Sequence, residues 1–257
     1  ILVYALGKKE RGRPVFERPY EIIAAKVNNV AQGLKFRLYN NRDIEFLDYR
    51  TYIGRNVYCR SLCFLLYKAA IDIFPNCKVV MRRPISKGFF CSIDKGDGSG
   101  LEAKDIDIIK KRMSEIVAEA MPFHRHEVPI AEAIDVFRQL GHMDKVKLLE
   151  TCGEVYISYY TLGGTADYYY DVLVPDAGYL KVWDLTPYRG GALLRVPDRH
   201  KPEALAPFFE QPKTFDVFSE SIKWNNIMGL DNVGDVNQAC LKGKATDLIE
   251  VAEALQE

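Results

Sequence analysis

The period of the hydrophobic positions changes several times along the 257-residue chain, and each change marks an expected element. Over residues 22–48, apolar runs at 22–25, 36–38 and 44–47 are separated by the turn formers Asn28-Asn29, Gly33 and Asn40-Asn41, which predicts a small antiparallel sheet. Leu62, Leu65, Leu66, Ala69 and Ile73 then recur at helical spacing and predict a helix over 60–74, stopped by Pro75. Strands are expected at 79–81 and 88–93, joined through Pro84 and followed by a flexible turn at 95–100 with three glycines. Ile106, Ile109, Met113, Ile116 and Ala120 predict a helix over 102–120 with acidic residues in its first turn, where the helix dipole favours them. A further helix over 130–140 is closed by Gly141. Runs at 155–162, 167–174, 179–185 and 192–196 read as strands of a second sheet, punctuated by Gly163-Gly164, Pro175, Gly178 and Gly190-Gly191. Polar helices from 202 onward, including 215–224 and 246–256, complete an α+β pattern.

Composition narrows the class without naming a function. With 48% hydrophobic and 27% charged residues the chain is an ordinary globular protein, and 35 basic against 35 acidic residues exclude a chain-wide polyanion binder. The charge is unevenly placed: through Tyr58 there are eleven basic and six acidic residues, a net +5, leaving −5 for the remainder. Lys8, Lys9, Arg11, Arg13 and Arg18 supply most of that excess. The longest apolar stretch, 62–66, falls far short of the roughly 18 residues that cross a bilayer, so a soluble, cytoplasmic chain without membrane contact is expected. Six cysteines without a C-x-x-C pair suit reduced thiols, and His124 and His126 have no cysteine beside them, so no metal is expected. A start at Ile1 and an end within a charged helix-like run suggest a piece of something longer.

The familiar catalytic signatures are absent. Gly243-Lys244 is followed by Ala245, and Gln238 stands where a phosphate-cradling loop requires glycine. Gly96, Gly98 and Gly100 lack the strand-to-helix context of a dinucleotide fingerprint. His124, His126, His142 and His200 fall in expected loops or at helix ends, and Cys63 and Cys152 sit in apolar surroundings that suit core thiols better than nucleophiles. Tyr156, Tyr159, Tyr160, Tyr168, Tyr169 and Tyr170 could stack on a base or sugar, although sheet packing is the simpler account.

Two families are similar in motif order. Ile23-Ala24-Ala25-Lys26-Val27-Asn28-Asn29, Gly33-Leu34 and Ile44-Glu45-Phe46-Leu47-Asp48 resemble a TGS domain, the ubiquitin-like β-grasp module that opens threonyl-tRNA synthetases. Arg60-Ser61-Leu62-Cys63-Phe64-Leu65-Leu66, Gly88-Phe89-Phe90, Lys111-Arg112-Met113, Gly141, Lys145-Val146, Asp167 and Val174-Pro175 follow in the order of that enzyme's second domain, which hydrolyses mischarged tRNA. The resemblance covers roughly residues 20–200 and implies a TGS-like module at 1–57, an editing-domain-like module at 58–200 and a helical extension at 201–257. It implies an H-x-x-x-H pair on the helix and a C-x-x-x-H motif later. Here Arg60 and Phe64 replace the two histidines, Tyr169 the cysteine and Leu173 the later histidine. Neither arginine, phenylalanine nor leucine can act as a base near neutral pH, so hydrolysis is expected to be lost.

Lys145-Val146-Lys147-Leu148-Leu149-Glu150, Tyr159-Tyr160-Thr161-Leu162-Gly163, Asp167-Tyr168-Tyr169-Tyr170 and residues 227–234 also resemble the N-terminal half of bacterial nucleoside kinases of the uridine kinase and phosphoribulokinase type. That resemblance implies a parent using ATP and magnesium, with its own C-terminal kinase domain as this region's partner. The leading expectation is therefore a non-catalytic regulatory region with no cofactor of its own. A nucleotide or nucleoside would occupy a degenerate cleft lined by Arg60, Phe64, Tyr169 and Leu173, with Lys145 and Arg195. The alternatives are an RNA-binding module contacting tRNA weakly through residues 1–58, and a surviving ester hydrolase using His124 or His126 with Cys152.

Overall fold

The computed structural model describes residues 20–254, which are α+β and form two compact units. The first holds residues up to His124 together with Tyr160–Gln211, and the second holds Arg125–Tyr159 and Pro212–Glu257. The five basic residues that dominate the N-terminal charge excess lie outside the described residues.

The first unit opens with β1 (Ala24–Val27), β2 (Val30–Gln32) and β3 (Ile44–Leu47), an antiparallel sheet in the order β2-β1-β3. Asn28 and Asn29 join β1 to β2 with positive φ at both positions, the geometry that a two-residue hairpin turn demands and that asparagine tolerates. Residues 36–38, read as a strand, instead belong to the β2–β3 loop: Phe36 N–H closes a turn on the Gly33 carbonyl at 3.0 Å.

Helix α1 (Tyr52–Ile73) begins eight residues earlier than its apolar spacing predicts. The Thr51 hydroxyl caps it by accepting from Gly54 N–H at 3.0 Å, and Gly54, Arg55 and Asn56 disguise the first turns as a loop. Val57, Leu62, Phe64, Leu65, Leu66, Ala69 and Ala70 are all buried, so α1 is a central helix covered on most sides rather than an amphipathic surface one. Around it lie β4 (Lys78–Ile85), β5 (Gly88–Asp94), β9 (Asp184–Tyr188) and β10 (Gly191–Arg195), antiparallel in the order β4-β5-β10-β9, and α2 (Ala103–Ala118), packed on α1. At Gly191 β10 runs close against β5; a Cβ there would stand 2.5 Å from the Cys91 carbonyl oxygen.

The runs at 167–174 and 179–185 depart most from expectation. Thr165–Tyr168 forms the strand β8 and the second run reaches β9 only at Asp184 and Leu185, while 169–176 is irregular and Ala177–Tyr179 makes a single 3-10 turn capped by Asp176. Val172, Leu173, Val174, Ala177 and Leu180 are buried against the core without a ladder, so their apolar pattern reflects packing alone.

After α2, β6 (Phe123–Pro129) leads into α3 (Ile130–Gln139) and α4 (Met143–Thr151), and β7 (Tyr156–Leu162) follows; the strand order is β6-β7-β8. His124 and His126 therefore lie in a strand, not in a loop. The C-terminal helices are α5 (Pro212–Met228), α6 (Val233–Leu241) and α7 (Ala245–Ala254). Neither α4 nor α6 is marked by its hydrophobic spacing; they are fastened by Lys147 to Asp235 at 2.7 Å and by Asn237 donating to the Thr151 hydroxyl at 3.1 Å.

These units divide the chain differently from the segments 1–57, 58–200 and 201–257. The small sheet shares one core with α1 through Ile23, Ala24, Leu47 and Tyr49, and residues 125–159 group with the C-terminal helices. No helix among the described residues is long and apolar enough to cross a membrane.

Candidate functional site

Arg60 and Phe64 stand one turn apart on α1, facing the irregular segment that follows β8. The Arg60 guanidinium donates through Nη2 to Asp171 Oδ2 at 2.7 Å, with the two side chains 18% and 30% exposed. Its Cζ lies 5.8 Å from the Tyr170 ring centre, while its buried Nε has no hydrogen-bond partner. Ser61, beside it and fully buried, donates to the Val57 carbonyl at 2.8 Å and accepts from Val174 N–H at 3.0 Å. The segment 171–174 is thus stitched to α1 at both ends, by an ion pair at Asp171 and by a hydroxyl bridge at Val174.

Phe64 is completely buried between Tyr169, Phe123 and Tyr67, with ring centres at 5.5, 5.7 and 6.4 Å. Leu173 is buried in the same core. Burial pushes the Tyr169 phenol well above its ordinary range, and the neighbouring Asp167 carboxylate adds to that. Burial also raises the Cys63 thiol, reinforced by Cys91, Cys59 and Asp167. Around Phe64 the arrangement therefore offers apolar packing, one charge-paired arginine and two acids held protonated. Arg60, Phe64, Tyr169 and Leu173 supply no base for hydrolysis.

The other two positions expected in the cleft are placed differently. Arg195, on β10, donates to the Ala206 carbonyl at 3.0 Å and lies 3.9 Å from Asp184. Lys145 belongs to α4 in the second unit, near Asp144 at 3.8 Å. Asp171 and Ser61 were not marked as site residues by sequence reasoning. An arginine in an otherwise apolar helix implies an acidic partner, but Asp167 and Asp171 were equally available to supply it.

The histidines and the remaining cysteine have structural surroundings. His126 stacks on Tyr159 at 4.9 Å and 19°, His142 stands at the N-cap position of α4 without a side-chain cap bond, its ring T-shaped to Phe137 at 6.1 Å, and exposed His200 donates its backbone N–H to Asp198. Cys152 donates to the Leu149 carbonyl at 3.4 Å. Among the described residues no group of three or more His, Cys, Asp or Glu side chains could hold a metal ion.

No family model matches the chain. Among curated proteins, the threonine–tRNA ligase of Azobacteroides pseudotrichonymphae is 26% identical over 166 residues, 65% of this chain and 26% of that protein. The threonine–tRNA ligase of Carboxydothermus hydrogenoformans is 31% identical over 157 residues, 61% of this chain and 23% of that protein. That of Porphyromonas gingivalis strain W83 is 25% identical over 170 residues, 66% of this chain and 26% of that protein. The chain spans about a quarter of the length of the curated relatives it matches.

These relatives correct the nucleoside-kinase reading. A regulatory region of a uridine kinase or phosphoribulokinase type enzyme, partnered by its own kinase domain, is replaced by similarity to tRNA ligases. The segments that suggested a kinase have ordinary structural reasons for their residues. Lys145–Glu150 lies within α4 and Tyr159–Leu162 within β7, and 227–234 runs from the end of α5 through the turn at 229–232 into α6. In that turn Gly229 takes φ +68° and Asn232 caps α6 by accepting from Asp235 N–H at 3.1 Å, a helix-stop and helix-start pair that any α–α connection can use.

Proposed function

We propose that the chain is a tRNA-contacting region, built on the TGS-like and editing-domain-like scaffold of a threonine–tRNA ligase and without hydrolytic activity at the former editing position. The observation that carries this reading is the similarity of 61–66% of the chain to threonine–tRNA ligases. The surroundings of Arg60, Phe64 and Tyr169 support its second half: a charge-paired guanidinium, a buried phenyl ring and a protonated phenol give water no activating group. Work on tRNA places the chain in the cytoplasm. Neutral overall charge makes the contact weak, and added salt weakens it further, since phosphate contacts act mainly by releasing counterions.

Titrating the chain into labelled tRNA at low ionic strength tests the first half, with a measurable Kd that weakens as salt is added as the expected result. An absence of binding at low salt overturns it. Incubation with misacylated tRNA tests the second half, the expected rate being that of the uncatalysed ester; deacylation above that background overturns it.

A further inference from the structure

The connection from β2 to β3, residues 33–43, runs Gly-Leu-Lys-Phe-Arg-Leu-Tyr-Asn-Asn-Arg-Asp, with three cations and two aromatic rings before its first acid at Asp43. Its ends are fixed. Asn28 and Asp43 are tied by two hydrogen bonds, from Asn28 N–H to the Asp43 carbonyl at 2.9 Å and from Asp43 N–H to Asn28 Oδ1 at 3.0 Å. Lys35 Nζ donates to the Pro175 carbonyl at 3.1 Å, which pins the rising limb beside the buried segment carrying Leu173 and Val174. Between these anchors the side chains turn outward: Tyr39 is 82% exposed and Phe36 39%.

Folding gives no reason for this composition. A tyrosine so exposed removes almost no apolar surface from water. Arg50, Arg60, Arg112 and Arg138 each meet a carboxylate, but Arg37 and Arg42 make no ion pair or hydrogen bond among the described residues. Free guanidinium groups alternating with exposed ring faces suit a strand of phosphates whose bases are unstacked. Arginine meets the backbone, the rings stack on bases, and the Asn40 and Asn41 amides can reach base edges. A duplex satisfies only the first of these, because its bases already stack on one another.

We infer that the 33–43 loop is a contact site for unpaired RNA, with Phe36 and Tyr39 as stacking platforms and Arg37 and Arg42 as phosphate contacts. This rests on the RNA-contacting reading above and names its place on the molecule.

The test uses the whole chain and three labelled probes: tRNA, an unstructured 12-nucleotide RNA and a blunt RNA duplex. Phe36→Ala/Tyr39→Ala is expected to weaken binding of the 12-mer at least tenfold while leaving the duplex affinity unchanged, since each stack on a base is worth about a factor of ten or more. Arg37→Gln/Arg42→Gln is expected to lower the slope of log K against log salt on the 12-mer by about 1.4, at about 0.7 per phosphate contact on a single strand. Tyr39→Trp retains binding. The residues are exposed, so thermal midpoints should stay at the parent value, and a variant is compared only where they do. Equal affinity of the parent and the Phe36/Tyr39 double variant for the 12-mer overturns the loop assignment, and if tRNA is still bound the broader reading stands. Loop-dependent binding of the 12-mer without any tRNA binding keeps the loop and overturns the tRNA reading. Binding of none of the three probes overturns both.

Discussion

Arg60 and Phe64 occupy neighbouring turns of one helix, yet the core treats them in opposite ways. Phe64 fills a site closed on three sides by Tyr67, Phe123 and Tyr169, so its removal leaves a cavity that rigid rings cannot collapse into. Phe64→Ala should cost about 3–5 kcal/mol of unfolding free energy, read as a lower urea midpoint at unchanged slope. Phe64→His should be similarly costly, because an imidazole would sit there among apolar rings. Ser61→Ala strands the buried Val174 N–H and should cost about 1–3 kcal/mol. The buried thiols give a pH signature. Burial pushes Cys91 up to about 12 and Cys59 and Cys77 up to about 11, from an ordinary value of 9.0. Above pH 9 the unfolded chain releases these protons and the folded one holds them, so their stabilising contribution is complete below pH 9 and is lost as pH rises toward 11–12. Urea midpoints measured from pH 8 to pH 11 should fall, and Cys91→Ala should make that fall shallower; an unchanged slope refutes the assignment.

At the scale of elements, the start of α2 is anchored by one carboxylate with two partners. Asp105 accepts from Glu102 N–H and from Lys95 Nζ, both at 2.9 Å, and the Lys95–Asp105 pair is nearly buried. Asp105→Ala removes the N3 half of the capping box and takes the carboxylate from Lys95, and should cost at least the roughly 1 kcal/mol of a lost hydrogen bond. The Glu102 N–H, then Lys95, hold the Asp105 carboxyl below its ordinary 3.8, so its contribution is full above pH 3.8 and disappears as pH falls through the depressed value. The variant should therefore lose less stability between pH 5 and pH 2 than the parent does. This helix was legible in the sequence because Ile106, Ile109, Met113 and Ile116 mark one buried stripe. The strands β4, β5 and β10 and the helix α3 were legible for related reasons. The start of α1 was not, since a helix buried on most sides has no stripe to read. Nor was 169–183, where buried residues pack without pairing, or α4 and α6, whose short apolar runs are completed only by each other. Of the candidate site, Arg60 with Phe64 and Tyr169 was legible, and the choice of Asp171 as the arginine's partner was not, because the chain path after β8 is set by tertiary packing rather than by any local pattern.

For the whole molecule, two compact units allow a separate report from each, and the chain carries one tryptophan in either. Trp183 in the first unit donates its indole N–H to the Leu180 carbonyl at 3.0 Å; Trp224 lies on α5 in the second, 39% exposed. Gly234 offers a lesion confined to the second unit. A Cβ there would stand 2.8 Å from the Leu148 backbone nitrogen, where α6 approaches α4, and backbone cannot yield as a flexible side chain can. Gly234→Val should thus loosen the α4–α6 contact that Lys147–Asp235 and Asn237–Thr151 hold, while the core around α1 keeps every residue it packs with. With Trp183→Phe or Trp224→Phe leaving a single reporter, the expected result of Gly234→Val is an earlier urea transition at Trp224 and an unmoved one at Trp183. Equal displacement of both transitions would mean that the two units unfold as one cooperative body, and the division of the chain at residues 125, 160 and 212 would then have no energetic meaning.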